Sequence, residues 1–280
     1  MRLPEHSLTL ERFPGEILDT AARIPWIDAF LGLQINQECS TFGRSSRLCV
    51  NHVISDNEIP GRKGLAISWV TLPAEAISLE VTSVKMKGPL PLGKNDLAIL
   101  SGGFWQGSFD NAVPDGLLIE QGRTVSSLAL WKNGKTDALQ GGILLQRSGT
   151  NEIAIVPPSG FDLRDRPITA LQSKPLLIEG GRVSVYDSHR DHAWNRACVG
   201  LDQANELVLV VATGDHSYAL TQYEFAYVVS KLPKLKGPVL AALGMDGAFA
   251  PSLVVARGNR RFGSSIANTA SFIHVRERAR

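Results

Sequence analysis

Three short stretches hold most of the side chains that can do chemistry. Tyr186-Asp187-Ser188-His189-Arg190-Asp191-His192-Ala193-Trp194-Asn195-Arg196 packs two imidazoles, three acidic or amide groups and two guanidiniums together. Paired cations clamp an anion, and a His–carboxylate pair moves protons near neutral pH. The plain alternative is a solvated polar loop, although site residues concentrate on such loops. Ser101-Gly102-Gly103-Phe104-Trp105 directly follows the apolar run Leu97–Leu100. Paired glycines there let backbone amides approach a ligand, and the aromatic rings can stack on a sugar face. Met245-Asp246-Gly247 follows a second apolar run, Val239–Leu243, and puts a carboxylate at its C-terminal end. Taken alone, either glycine stretch is as readily a tight turn as a site. His189 and His192, with Asp187 and Asp191, also have metal-ligand chemistry, but no third ligand stands at diagnostic spacing and no metal is expected.

Other chemistries fail on single residues. Gly134-Lys135-Thr136 ends like a phosphate loop, yet the glycine required five residues before Gly134 is Ala129. His189-Arg190-Asp191 resembles a kinase catalytic loop, but Arg196 stands where the metal-binding Asn belongs. GxGxxG, HExxH and GxSxG do not occur.

The elements that must position these residues are mostly strands. Residues 14–32 read as helical, with Pro25 interrupting the periodicity. Short β-branched runs at 48–55, 65–72, 77–84, 96–100, 124–131, 138–146 and 152–156 read as strands, and Asn133-Gly134 signals a hairpin. Cys198–Leu201 and Leu207–Val211 read as a second hairpin, turning through Asp202–Glu206. Thr221 with Glu224 forms a capping box, and Leu220 with Phe225 a hydrophobic staple, so a helix starts there and runs to about Leu232. Strands at 239–243, 252–256 and 271–275 close the chain. The pattern predicts an α+β fold: a mixed, strand-rich sheet core with a few flanking helices, in one compact domain. The Pro/Gly cluster Gly88–Gly93 divides an N-terminal helix and strand subregion, 1–94, from the remainder, 95–280.

With the elements placed, the glycine turns become recognisable. SGGFW, then Val113-Pro114-Asp115-Gly116-Leu117-Leu118-Ile119, resembles the N-G-G-F-F … P-x-G-L-x-I opening of the phosphodiester glycosidase family. Ala170-Leu171-Gln172-Ser173-Lys174-Pro175-Leu176, with Gly180 and Gly181, resembles its A-x-Q-x-x-P-x-L segment. Arg196-Ala197-Cys198-Val199-Gly200 fits R-T-x-x-G, and Leu220-Thr221 opens the LT-x-x-E-x-A stretch. Met245-Asp246-Gly247 with Ser252-Leu253-Val254-Val255 stands where the family has LDGGGSSTLVV, and Ile266-Ala267-Asn268 matches its closing V-A-N. The chain departs at Ser101, where the family has Asn, and at Ala248-Phe249-Ala250, where it has Gly-Gly-Ser.

This resemblance implies a glycoside hydrolase that cleaves a sugar-1-phosphodiester, releasing sugar and phosphomonoester through an oxocarbenium-like state. The roles it implies are Arg196, with Arg182, clamping phosphate, and Asp246 stabilising positive charge or activating water. Gly102, Gly103 and Phe104 shape the sugar subsite, Gln172, Gly247 and Asn268 add binding contacts, and His192 or Asp187 relays a proton. No cofactor is implied. The competing readings are a non-catalytic glycan- or phosphate-binding protein on the same scaffold, and a metal-assisted phosphodiesterase.

Composition bounds all of this. The 280 residues are 44% hydrophobic and 20% charged, which excludes a disordered chain. No apolar run approaches the roughly 20 residues of a membrane span. Net charge is only +2, although Arg257–Arg280 carries six Arg against one Glu and reads as a basic, partly frayed terminus. The expected partner is a small-molecule or glycan substrate carrying phosphate, not nucleic acid, and homo-oligomerisation is left open. Cys39 and Cys49 could pair across a hairpin, but buried free thiols in a reducing compartment are expected. The N-terminus lacks a leader's apolar core, which places the chain in the cytoplasm, or in a secreted or periplasmic setting if a leader was removed.

Overall fold

The computed structural model describes residues 24–55, 59, 62–83, 86–88, 92–107, 111–129, 141–162, 164, 166–185, 192–215, 219–263 and 267–278. The largest sheet has eight strands. In spatial order these are β1 (Asn36–Phe42), β2 (Ser46–Ile54), β3 (Ala66–Pro73), β17 (Glu206–Thr213), β16 (Arg196–Asp202), β18 (Val239–Gly244), β14 (Leu176–Glu179) and β15 (Arg182–Val183). A five-stranded sheet orders β10 (Arg123–Ser126), β9 (Leu118–Glu120), β13 (Pro167–Ser173), β11 (Gly142–Arg147) and β12 (Ile153–Val156). Another orders β20 (Arg260–Gly263), β19 (Ser252–Val255), β6 (Asp96–Ser101), β22 (Phe272–Glu277) and β4 (Ile77–Thr82). Two ribbons complete the set: β5 (Met86–Gly88) with β21 (Ala267–Thr269), and β7 (Trp105–Gln106) with β8 (Val113–Pro114).

The inner faces of the three large sheets meet in one core that includes Val70, Leu72, Leu100, Leu144, Leu171, Leu209 and Val255. The eight-stranded sheet is buried on its other face as well. Val208 and Val210 of β17 point there, alternating with Leu209 and Val211, which explains why Leu207–Ala212 is an unbroken apolar run. That second face is covered by α1 (Pro25–Leu31) and α2 (Gln222–Ser230), through Ile27, Phe30, Phe225 and Tyr227.

The α+β expectation is therefore corrected: the fold is mostly β. Among the described residues the helical signals give two α-helices, of 7 and 9 residues, that serve as a partial cover over one sheet, and residues 14–23 of the expected first helix lie outside those described. Pro25 opens α1 at its first turn, after an extended Ile24, because a proline lacks only an amide that is unpaired there anyway. Thr221 and Glu224 form both capping-box bonds, and Arg62 meets the other Glu224 oxygen at 2.5 Å, fixing where α2 starts. Strands from before residue 95 join the same sheets as later ones, β3 against β17 and β4 against β22. Asn133-Gly134 lies outside the described residues.

Two further expectations are overturned. The C-terminal segment is not frayed: β22 runs between β6 and β4, and Arg276 pairs with both Asp96 and Glu80. Cys39 and Cys49 are directly opposite in the β1–β2 register and form a disulfide, with Cα atoms 4.1 Å apart.

Candidate active site

The turn after β18 is sewn to two neighbouring strands by its own amides. Met245 N–H donates to the Ala197 carbonyl at 2.8 Å, Asp246 N–H to Gly102 at 3.0 Å, and Ala248 N–H to Asn195 at 3.0 Å. Asp246 thus stands where the ends of β18 and β6 meet the start of β16. Gly102 is itself fixed, since its N–H donates to the Ser271 carbonyl at 2.8 Å. A Cβ there would lie 2.4 Å from Ser271 Oγ and 2.8 Å from the Ser271 carbonyl carbon, so only glycine lets the β6 end approach this closely. A Cβ on Gly103 would reach within 3.0 Å of the Gln172 carbonyl.

Several charged and aromatic groups gather at this junction. The half-buried Asp246 carboxyl is pushed up to about 7 by burial, against which hydrogen bonds from the Gly247 amide and the Trp105 indole pull it down. The Gly247 N–H lies 2.9 Å from Asp246 Oδ1. Arg196 lies on the other side of Gly247, its Nη1 3.9 Å from where a Cβ would stand. Its Nε donates to the Leu220 carbonyl at 3.0 Å and its Nη2 to the His192 carbonyl at 2.7 Å, holding the guanidinium beside the turn. Lys174 adds a second cation, 2.9 Å from Asp115 Oδ2 and 5.8 Å from the Phe104 ring centre. Asp115 braces this side: Oδ1 accepts from Gln106 Nε2 at 2.7 Å and its N–H donates to the Phe104 carbonyl at 2.9 Å.

The structure brings Asp246, Gly247, Gly102, Gly103, Phe104 and Arg196 together. His192 joins through its main chain, with its residue exposed. Gln172 adjoins Gly103, but its buried amide is occupied by backbone: Oε1 accepts from Leu117 and Ala129 N–H groups at 2.8 and 2.9 Å, and Nε2 donates to the Ala129 carbonyl. Arg182 is exposed at the far end of the sheet, where Gly181 bonds to Leu240. That is six residues before Asp246, roughly 20 Å along a strand. Asn268 pairs with Lys87 in the β5–β21 ribbon. Asp187, His189 and Asp191 lie outside the described residues, and among those described no group of three metal-ligating side chains occurs. Lys174 and Asp115 were missed, and Trp105 was read as a stacking ring and not as a donor to Asp246. Each lies within or beside a quoted motif, so the signal was adjacency to the glycine turn and not residue type.

The loop after Asp246 keeps a glycine-like backbone without the glycine. Ala248 holds φ +57°, while Phe249 is 63% exposed and Ala250 is buried. Because a β-carbon is strained in that region, Ala248→Gly is expected to stabilise the protein by about 1 kcal/mol. A raised urea midpoint checks this; an unchanged or lower one contradicts it.

No curated protein matches the sequence directly. The fold is similar to the catalytic domain of zebrafish N-acetylglucosamine-1-phosphodiester alpha-N-acetylglucosaminidase auto-inhibited by its pro-peptide. The TM-score is 0.63 at 13% identity, over 88% of this chain and 89% of that one. A hypothetical protein from Synechocystis is similar with TM-score 0.56 and 13% identity, over 88% and 72% of the two chains. At such identities these likenesses are of fold. The sequence profile of the phosphodiester glycosidases matches residues 95–278, and the chain belongs to that family.

Proposed function

We propose that this chain hydrolyses a sugar-1-phosphodiester at the sugar–oxygen bond. The observation that carries the reading is one desolvated carboxyl, Asp246, with Arg196 beside the same turn, against a glycine pair whose following aromatic, Phe104, faces a second cation, Lys174. Arg196 and Lys174 hold the phosphate. Gly102 and Gly103 let the sugar come close, with Phe104 as an apolar wall. Ionised Asp246 stabilises the positive charge that develops at the anomeric carbon or activates the water that attacks it. Water adds its hydroxyl to that carbon, the C–O bond breaks, and the phosphomonoester leaves with the electron pair and takes up a proton.

The leaving phosphate is a good one, so demand for a strong general acid is small, and a site with one carboxyl and several cations suits the reaction. Because the ionised form of Asp246 does this work, kcat/KM rises with pH through about 7. Ala250, which replaces the family's serine, favours a second reading, a binding protein that holds the same ligands without turnover. Incubating the protein with a panel of alkyl glycosyl-1-phosphates separates the two. Released sugar supports hydrolysis, and saturable binding with no product supports the second reading. The Cys39–Cys49 disulfide supports an oxidising compartment as the place where this chemistry runs.

A further inference from the structure

We propose that Trp105 is a positioning residue for Asp246: its indole N–H grips the carboxylate, fixes its orientation and favours its ionised form. The inference rests on Asp246 being the reacting carboxyl. It goes beyond the family pattern, which carries Phe at this position and so offers no donor.

The geometry that brings the two residues together does not depend on titration. Asp246 N–H is bonded to the Gly102 carbonyl at 3.0 Å, three residues before Trp105 in the same turn. Gly102 cannot retreat, because it is bonded to Ser271 and packed against it. Trp105 then enters the β7–β8 ribbon, opposite Pro114. Asp115 locks that ribbon from both flanks, through the Phe104 carbonyl and the Gln106 amide, and its other oxygen is tied to Lys174. The indole is thus delivered to the carboxyl by a braced hairpin instead of a free loop.

The chemical consequence follows from what each donor does to the anion. A half-buried carboxylate is disfavoured by desolvation, and a donor to its oxygen offsets part of that cost. The Gly247 amide is one such donor and the Trp105 indole is the other. Among the described residues, the charged groups near Asp246 are Arg196 beyond Gly247 and the Lys174–Asp115 pair behind Phe104, with His192 beyond Arg196. None of these residues is itself substituted when the indole is replaced by a phenyl ring.

The test is Trp105→Phe, which restores the family residue, removes the donor and leaves a smaller aromatic ring in its place. The Asp246 carboxyl carbon is followed by NMR in protein labelled at aspartate, and assigned by difference from Asp246→Asn. In the unaltered protein its midpoint is expected near pH 7. In Trp105→Phe the midpoint rises by about one unit, a tenfold change in proton affinity. The rising limb of kcat/KM moves up with it. An unchanged or lowered midpoint overturns the proposal. If the protein turns over no phosphodiester but the midpoint still shifts, the proposed reaction fails while the role of Trp105 stands. Should Trp105→Phe not fold, the unaltered protein supplies a second measurement. Its tryptophan emission changes with a midpoint near pH 7, and Asp246→Asn abolishes that change. An identical emission titration in both proteins also overturns the proposal.

Discussion

Asp246→Asn is expected to lower kcat by at least about a thousandfold, the scale at which an aligned catalytic carboxyl acts, and to make the folded protein more stable at pH 8. The two effects have one cause. Burial raises the folded-state value of this carboxyl from 3.8 to about 7, so the folded chain binds its proton more tightly than the unfolded chain does. Stability contributed by the group is therefore full below about pH 4, declines as pH rises to about 7, and stays low above that. A shift of about three units corresponds to about 4 kcal/mol, and partial exposure of the residue reduces that to about 2–3 kcal/mol. Asparagine never ionises, so the variant escapes the decline. Urea unfolding of both proteins at pH 5 and pH 8 reads the sign: the difference should open at pH 8. A variant that is inactive but no more stable at pH 8 would show that Asp246 is not desolvated.

Gly102→Ala should act on the fold first and on the reaction through it. Rotating the hydroxyl relieves the 2.4 Å approach of a Cβ to Ser271 Oγ, but the Ser271 carbonyl carbon at 2.8 Å is main chain in the strand-bearing segment before β22. Relief requires β6 and β22 to separate at their paired ends, Ser101 and Phe272. The expected loss is about 3 kcal/mol, the upper part of the range for overpacking. Because the Gly102 carbonyl accepts the Asp246 amide, the same displacement moves the carboxyl, and turnover falls even where the variant remains folded. Denaturant midpoint and kcat measured on one preparation check both. Wild-type stability in Gly102→Ala contradicts the close approach on which the site depends.

What the sequence disclosed depends on how local its cause is. The β16–β17 hairpin was legible because Cys198–Leu201 and Leu207–Val211 carry it alone, and Leu201 pairs with Leu207 as expected. The start of α2 was legible because Thr221 and Glu224 satisfy each other within three residues. The C-terminal strand was not. Arg276 looks like part of a solvated basic tail until Asp96 and Glu80, 180 and 196 residues earlier, are brought beside it. Helical patterning around Trp26 and Phe30 does mark a helix, α1, and the apolar face behind that pattern is the cover it lays on a sheet.

The site divides the same way. Asp246, Gly102, Gly103 and Arg196 were recognisable from ordered motifs, although their meeting depends on three strands from different parts of the chain. Arg182 shares the chemistry of Arg196, yet a hairpin edge carries it away from Asp246. Lys174 and Trp105 were hidden because nothing in a lysine or tryptophan alone marks it as a partner of Asp115 or Asp246. Gln172 was singled out for hydrogen bonding, and it does bond, but to Leu117 and Ala129 backbone.

The central claim is that the bond broken is between sugar and oxygen. Hydrolysis of an alkyl glycosyl-1-phosphate in water enriched with oxygen-18, followed by mass spectrometry of both products, tests it directly. The account predicts the heavy oxygen on the anomeric carbon of the released sugar and none in the phosphomonoester. Label in the phosphate would mean attack at phosphorus, and would contradict it.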